Sequence, residues 1–205
     1  MKNGYDLARL AACVCVLALL GGCAFGQKIA YSDTVADVEA TGNKSLALAT
    51  HDQRPYVVSG NKEPRFVGIS RGTYGNPFDV NTVSGAPLAD EFSASISKSL
   101  DARGFKTSVV KVGAAQSRRA TMEALRNATA ERLVLVTLKE WKSDTYFRTS
   151  VLYDSTVAVY DPTGQELARA TFKGEDNIGK EPVLNAFKNK IEEWFSDPKI
   201  VAALK

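Results

Sequence analysis

His51 is the only histidine in this 205-residue chain, and that single ring limits most of the chemistry the sequence can support. A Ser–His or Cys–His pair needs an imidazole beside a nucleophile, and here each pairing has one candidate base. A histidine-based metal site has no second imidazole to complete it. Gly-x-Ser-x-Gly, His-Glu-x-x-His and Walker-type loops are all absent. His51 closes the apolar run Leu46–Thr50 and reads as a structural or rim histidine. Carboxylates are the remaining catalytic option, as general acids and bases. Asp33, Asp37 and Glu39 fall in a polar stretch, Asp90 and Glu91 at a helix start, and Glu192 and Glu193 on the solvent side of a helix. Nothing in their spacing brings two of them to one cleft. The sequence therefore assigns no catalytic residue, no metal ligand, no cofactor and no enzymatic activity.

Gly68-Ile69-Ser70-Arg71-Gly72-Thr73-Tyr74-Gly75 has the glycine density of a phosphate-binding loop. It lacks the lysine, and the next helix starts well downstream, so the backbone amides have no helix N-terminus to join. The same segment presents Arg71, Tyr74, Asn76 and Phe78. Aromatic and forked-donor side chains on irregular backbone are the types enriched at interfaces. These four residues form a candidate partner-binding loop. The competing reading has Tyr74 and Phe78 folded back as a plug, with Arg71 paired to a nearby carboxylate.

Lys2 and Arg9 precede an uncharged apolar run from Leu10 to Leu20, which ends in Leu20-Gly21-Gly22-Cys23. The run is too short to span a bilayer and has the layout of a secretory signal. Its last four residues resemble the bacterial lipobox. That resemblance implies cleavage before Cys23, a thioether-linked diacylglycerol on its sulfur and an acyl chain on the freed amine. It also implies a membrane partner through the lipid. Ala24 stands where an aspartate would signal retention, which points to the periplasmic face of the outer membrane. Cys13 and Cys15 leave with the signal, so the mature chain can form neither a disulfide nor a cysteine-based zinc site.

Cleavage lowers the formal net charge from +3 to +2, with 24 basic against 22 acidic residues. Charges are mixed along the chain, and no dense basic face suggests nucleic acid. Residues 1–22 are read as the signal peptide and 23–44 as a lipidated flexible tether, small and polar with a short strand at Ile29–Tyr31. Residues 45–205 are read as one periplasmic domain, long enough to bury a substantial core.

The elements that must position these residues follow from periodicity. Leu46–Thr50 predicts a buried strand. Tyr56-Val57-Val58 and Phe66–Ile69 flank Gly60-Asn61-Lys62 and predict a hairpin. Leu88, Phe92, Ile96 and Leu100 recur every four residues and predict a helix capped by Gly104. Phe105–Val112 alternates as a strand, Ser117–Glu131 predicts a helix, and Leu133–Trp141 a strand. Thr149–Tyr160 and Leu167–Lys173 bracket the turn Asp161-Pro162-Thr163-Gly164. Leu184 to Phe195 predicts a helix, and Asp197-Pro198 restarts a shorter one, with Asp as N-cap and Pro at the first position. The expected fold is α/β (α+β): a single domain with a mixed, mostly antiparallel sheet and helices packed on one face.

Arg54 to Gly60, Phe66 to Gly68, Arg71 to Val80 and the closing Trp194 to Leu204 resemble uncharacterised proteobacterial outer-membrane lipoproteins. The amphipathic helix ending in Arg103-Gly104-Phe105, followed by a long strand pair with an Asp-x-x-Gly turn, is similar to the YajG-type lipoproteins. A further similarity is to auxiliary lipoproteins of ABC-type lipid transporters. These resemblances imply an α/β envelope domain without known catalytic residues. The functional expectation is a non-enzymatic interaction module with an envelope protein partner, or alternatively the auxiliary lipoprotein of a lipid-transport system.

Overall fold

Leu46-Ala47-Leu48-Ala49 is buried on both sides, and its alternation divides the molecule into two cores. Successive strand side chains point to opposite faces, so Leu46 and Leu48 enter a large core while Ala47 and Ala49 enter a smaller one. The computed structural model describes residues 26–205. The signal, the Leu20–Cys23 box and the lipidation site at Cys23 lie outside the described residues.

Eight strands form one sheet: β1 (Lys28–Ile29), β2 (Ser45–Asp52), β3 (Phe66–Arg71), β4 (Pro77–Thr82), β5 (Lys106–Val109), β6 (Arg132–Thr145), β7 (Thr149–Tyr160) and β8 (Glu166–Gly179). Among the described residues five helices accompany them: α1 (Pro55–Val58), α2 (Leu88–Asp101), α3 (Arg118–Asn127), α4 (Val183–Ser196) and α5 (Pro198–Leu204). β6 organises the sheet. Its first half pairs with β2 and its last residues with β3, while its other edge carries β7 and then β8. The β1–β4, β2–β5, β2–β6 and β3–β6 pairings are parallel. Only β3–β4, β6–β7 and β7–β8 are antiparallel. The expected mostly antiparallel sheet is thus corrected. Helical crossovers between consecutive strands return the chain in the same direction and favour parallel pairing.

The helices are not confined to one face either. Helices α2, α4 and α5 cover the large core. Met122 and Leu125 of α3 pack on Ala47, Ala49, Leu133 and Leu135 on the opposite side. Alanines on that face of β2 leave room for a helix to approach closely. The helix expected over Leu88–Leu100 is present with its apolar stripe fully buried, and Gly104 follows it at φ +95°. Asp197 caps α5 as expected, its Oδ1 accepting from the N–H groups of Lys199 and Ile200 at 2.9 and 3.2 Å.

The expected tether over 23–44 is overturned from Tyr31 onward. Tyr31, Ala36, Val38 and Ala40 are buried in the large core. The backbone N–H of Tyr31 donates to Glu91 Oε2 at 2.8 Å, that of Ala36 to Ser99 Oγ at 2.9 Å and that of Asp37 to Glu192 Oε1 at 2.9 Å. This strap lies across α2 and α4. Tyr31 also completes an aromatic cluster. Its ring centroid lies 4.8 Å from Phe187, while Phe92 stands 4.6 Å from Phe187 and 5.0 Å from Trp141.

The expected strand at Tyr56–Val58 is instead α1. Pro55 occupies its first turn, and Ser59 N donates back to Pro55 O. The backbone turns there because Arg54 is fully buried beneath it. All five N–H groups of its guanidinium have acceptors. Two go to the Asp52 carboxylate at 2.8 and 2.7 Å, and the rest to the carbonyls of Phe66, Trp141 and Pro64. One side chain thereby ties the end of β2 to β3 and β6.

Candidate functional site

The Arg71–Phe78 segment is a tight hairpin rather than an open loop. Arg71 ends β3, Pro77 and Phe78 begin β4, and the two strands pair through Arg71↔Pro77 and Ser70↔Phe78. Only residues 72–76 turn. Gly72 N donates to Asn76 O, Gly75 N donates to Gly72 O, and Gly75 has φ +79°, a conformation glycine adopts without strain. Two of the amides that could cradle a phosphate, those of Gly72 and Gly75, are therefore spent within the turn. Gly68 has a different role, since a Cβ there would fall 2.2 Å from Ser143 Oγ of β6.

Parallel pairing of β3 with β6 sets this hairpin beside the β6–β7 hairpin, because Ser70 lies opposite Thr145. Arg71 meets Asp144 in a forked pair, Nε to Oδ1 at 2.8 Å and Nη2 to Oδ2 at 2.6 Å. The hydrogen bonds from Arg71 hold the Asp144 carboxyl below the usual carboxylate range. The Tyr146 hydroxyl donates to Thr73 O at 3.1 Å, and the Tyr146 and Phe147 rings stand 4.0 Å apart. The two tips form one braced unit. Tyr74 is 86% exposed, Phe147 77% and Tyr146 42%.

The structure places each residue of the expected loop. Arg71 does pair with a local carboxylate. Tyr74 plugs nothing, and Phe78 is half-buried, its ring 3.1 Å from where a Gly72 Cβ would stand. Asn76 is exposed at the turn. Tyr74→Ala is therefore expected to leave the melting temperature nearly unchanged, as surface substitutions do. A thermal melt of the purified protein checks this, and a core-sized drop would restore the plug. Sequence reasoning missed Tyr146 and Phe147. The available signal was an aromatic pair lying between two predicted strands, where turn residues normally stand.

The other reactive groups are absorbed into the fold. His51 is buried, 2.8 Å from Gln53 Nε2, and burial lowers its pKa. It lines a cavity of about 370 Å³ together with Gln53, Pro55, Arg118, Leu135, Thr137 and Lys139. No nucleophile hydrogen-bonded to His51 lies in that lining. Asp33 pairs with Lys98, Asp37 with Arg103, Asp90 with Lys111 and Glu193 with Lys190. Glu91 accepts from Tyr31 N and from Ser84 Oγ. Among the described residues no group of three or more His, Cys, Asp or Glu side chains is arranged to hold a metal. Among them, too, no helix is long and apolar enough to cross a membrane.

No protein-family model matches the chain, and no curated protein matches it. Several solved structures are similar to the chain at low identity. Protein XCC0632 from Xanthomonas campestris, of family DUF330, is 10% identical with a TM-score of 0.49, covering 83% of this chain and 91% of its own. PelC from Paraburkholderia phytofirmans, crystallised as a dodecamer, is 14% identical with a TM-score of 0.47, covering 80% and 92%. Lipoprotein GNA1162 from Neisseria meningitidis is 11% identical with a TM-score of 0.32, covering 72% and 94%. At this level of likeness no residue, ligand or assembly transfers from them.

Proposed function

We propose that this chain is a lipid-anchored, non-enzymatic interaction module of the cell envelope, working through the paired hairpin tips. The observation that carries the reading is the display of Tyr74, Tyr146 and Phe147 on a scaffold braced by the Arg71–Asp144 pair. Single exposed apolar residues are ordinary on a protein surface, but a held cluster marks a contact site. Bracing matters because a backbone already fixed loses little freedom on binding.

In this reading Cys23 carries the lipid and the domain stands at the periplasmic face of the outer membrane, with an envelope partner at the tips. The likeness to YajG-type lipoproteins belongs to the same picture. Service as the auxiliary lipoprotein of an ABC-type lipid transporter is its narrower version, distinguished by copurification with an inner-membrane permease. A photoreactive residue at position 74 or 147 is expected to trap an envelope component in intact cells. The same residue at Val109, exposed on β5, should trap none. Equal capture from all three positions, or capture from 109 alone, contradicts the assignment.

A further inference from the structure

We propose that the component met by the two hairpin tips is the lipid bilayer itself, with Tyr74, Tyr146 and Phe147 seated at headgroup level. The proposal deepens the reading above and rests on its lipid at Cys23.

Strand direction supplies the first argument. β1 runs parallel to β4, with Lys28 opposite Asn81 and Ile29 opposite Thr82, and Asn81 N donates to Gln27 O at 3.2 Å. The chain therefore enters β1 alongside β4, whose N-terminal end is the hairpin tip. Five residue steps separate Cys23 from Lys28, and five separate Asn76 from Asn81. An extended chain rises about 3.3 Å per residue, so each span is roughly 17 Å. The anchored sulfur is thus tied within roughly 17 Å of the β1–β4 pair, and it can reach as far as the tip.

The strap supplies the second argument. From Tyr31 onward the chain is fixed to α2 and α4, so only the few residues ahead of β1 can separate the domain from the lipid. The domain is therefore held close to the bilayer, with one surface turned toward it.

Surface chemistry selects which one. Among the described residues every strongly exposed large aromatic side chain lies on the two tips, whereas the opposite end of β4 offers Val83. Tyrosine and phenylalanine place an apolar ring, and in tyrosine a hydroxyl, where a membrane interface offers both environments. Exposed Arg148 follows Phe147, and exposed Lys180 follows Gly179, which pairs with Thr149 at the same end. Cations in that position suit anionic headgroups.

The test uses the lipidated protein reconstituted into phosphatidylethanolamine–phosphatidylglycerol vesicles, with ordinary or brominated acyl chains. Tryptophan is introduced singly by Tyr74→Trp, Phe147→Trp or Val83→Trp. The native Trp141 and Trp194 are fully buried and give a constant background. Bromine is expected to cause loss of fluorescence from positions 74 and 147 and none from 83. Quenching at 83 instead, or at none of the three while mass spectrometry finds lipid on Cys23, overturns the orientation alone. Tip crosslinks to a protein without quenching do the same and give the tips to that protein. Absence of lipid on Cys23 overturns the anchor reading and this orientation with it.

Discussion

Arg54→Ala is expected to destabilise the protein by about 3–5 kcal/mol, the usual cost of removing one partner from a buried ion pair. The Asp52 side chain is 3% exposed and has Arg54 as its ion partner. Truncation leaves a carboxylate without its countercharge in a poorly solvating environment. It also strips a donor from the carbonyls of Phe66, Pro64 and Trp141, which lie on two separate segments, the entry to β3 and the middle of β6. The pair is a structural device rather than a reactive one, because every donor of the guanidinium is used internally. Urea denaturation of the two proteins measures the difference. A loss below about 1 kcal/mol, typical of surface pairs, would show that the clamp is misjudged.

Tyr31→Ala should cost a comparable amount, about 3–5 kcal/mol, as large-to-small aromatic truncations in a core do. The Tyr31 ring contacts Phe92, Trp141 and Phe187, and its hydroxyl accepts from Trp141 Nε1 at 3.3 Å. Removing it opens a cavity where the strap, α2, β6 and α4 meet, and leaves the indole N–H without its acceptor. Denaturation again reads the result. A flexible tether would predict no change at all, so the experiment separates the two descriptions of this segment.

That contrast shows what the sequence makes legible. The Leu88–Leu100 stripe recurs every four residues and announces its helix, and Asp197-Pro198 announces a capped start, because both signals are local. Thr149–Tyr160 is bounded by turn chemistry and is found at the expected residues. The strap is different. Ala36, Val38 and Ala40 are small and alternate with polar residues, and the groups satisfying their backbone lie far away in sequence, at Ser99 and Phe195. Tyr-Val-Val favours a strand by propensity, yet a proline in the first turn and the Arg54 anchor make it α1. The strand–helix–strand order carries the signature of parallel pairing, whereas the Asp-Pro-Thr-Gly turn is local and marks only the antiparallel end of the sheet.

The site divides the same way. Arg71, Tyr74, Asn76 and Phe78 were visible as residue types of an interface. Their bracing was not, because Asp144 and Tyr146 reach the first hairpin only through β3–β6 pairing. Tyr146 and Phe147 become part of the surface for the same reason.

In the proposed reading this surface works on a domain held to a membrane by Cys23, and the state of the mature N-terminus decides it. Mass spectrometry of the N-terminal proteolytic peptide from membrane-purified protein should find a chain beginning at Cys23, with a diacylglyceryl thioether on the sulfur and an acyl chain on the amine. Cys23→Ser should abolish incorporation of a labelled fatty acid. An unmodified cysteine, a chain that begins elsewhere, or label retained by the serine variant would contradict the account.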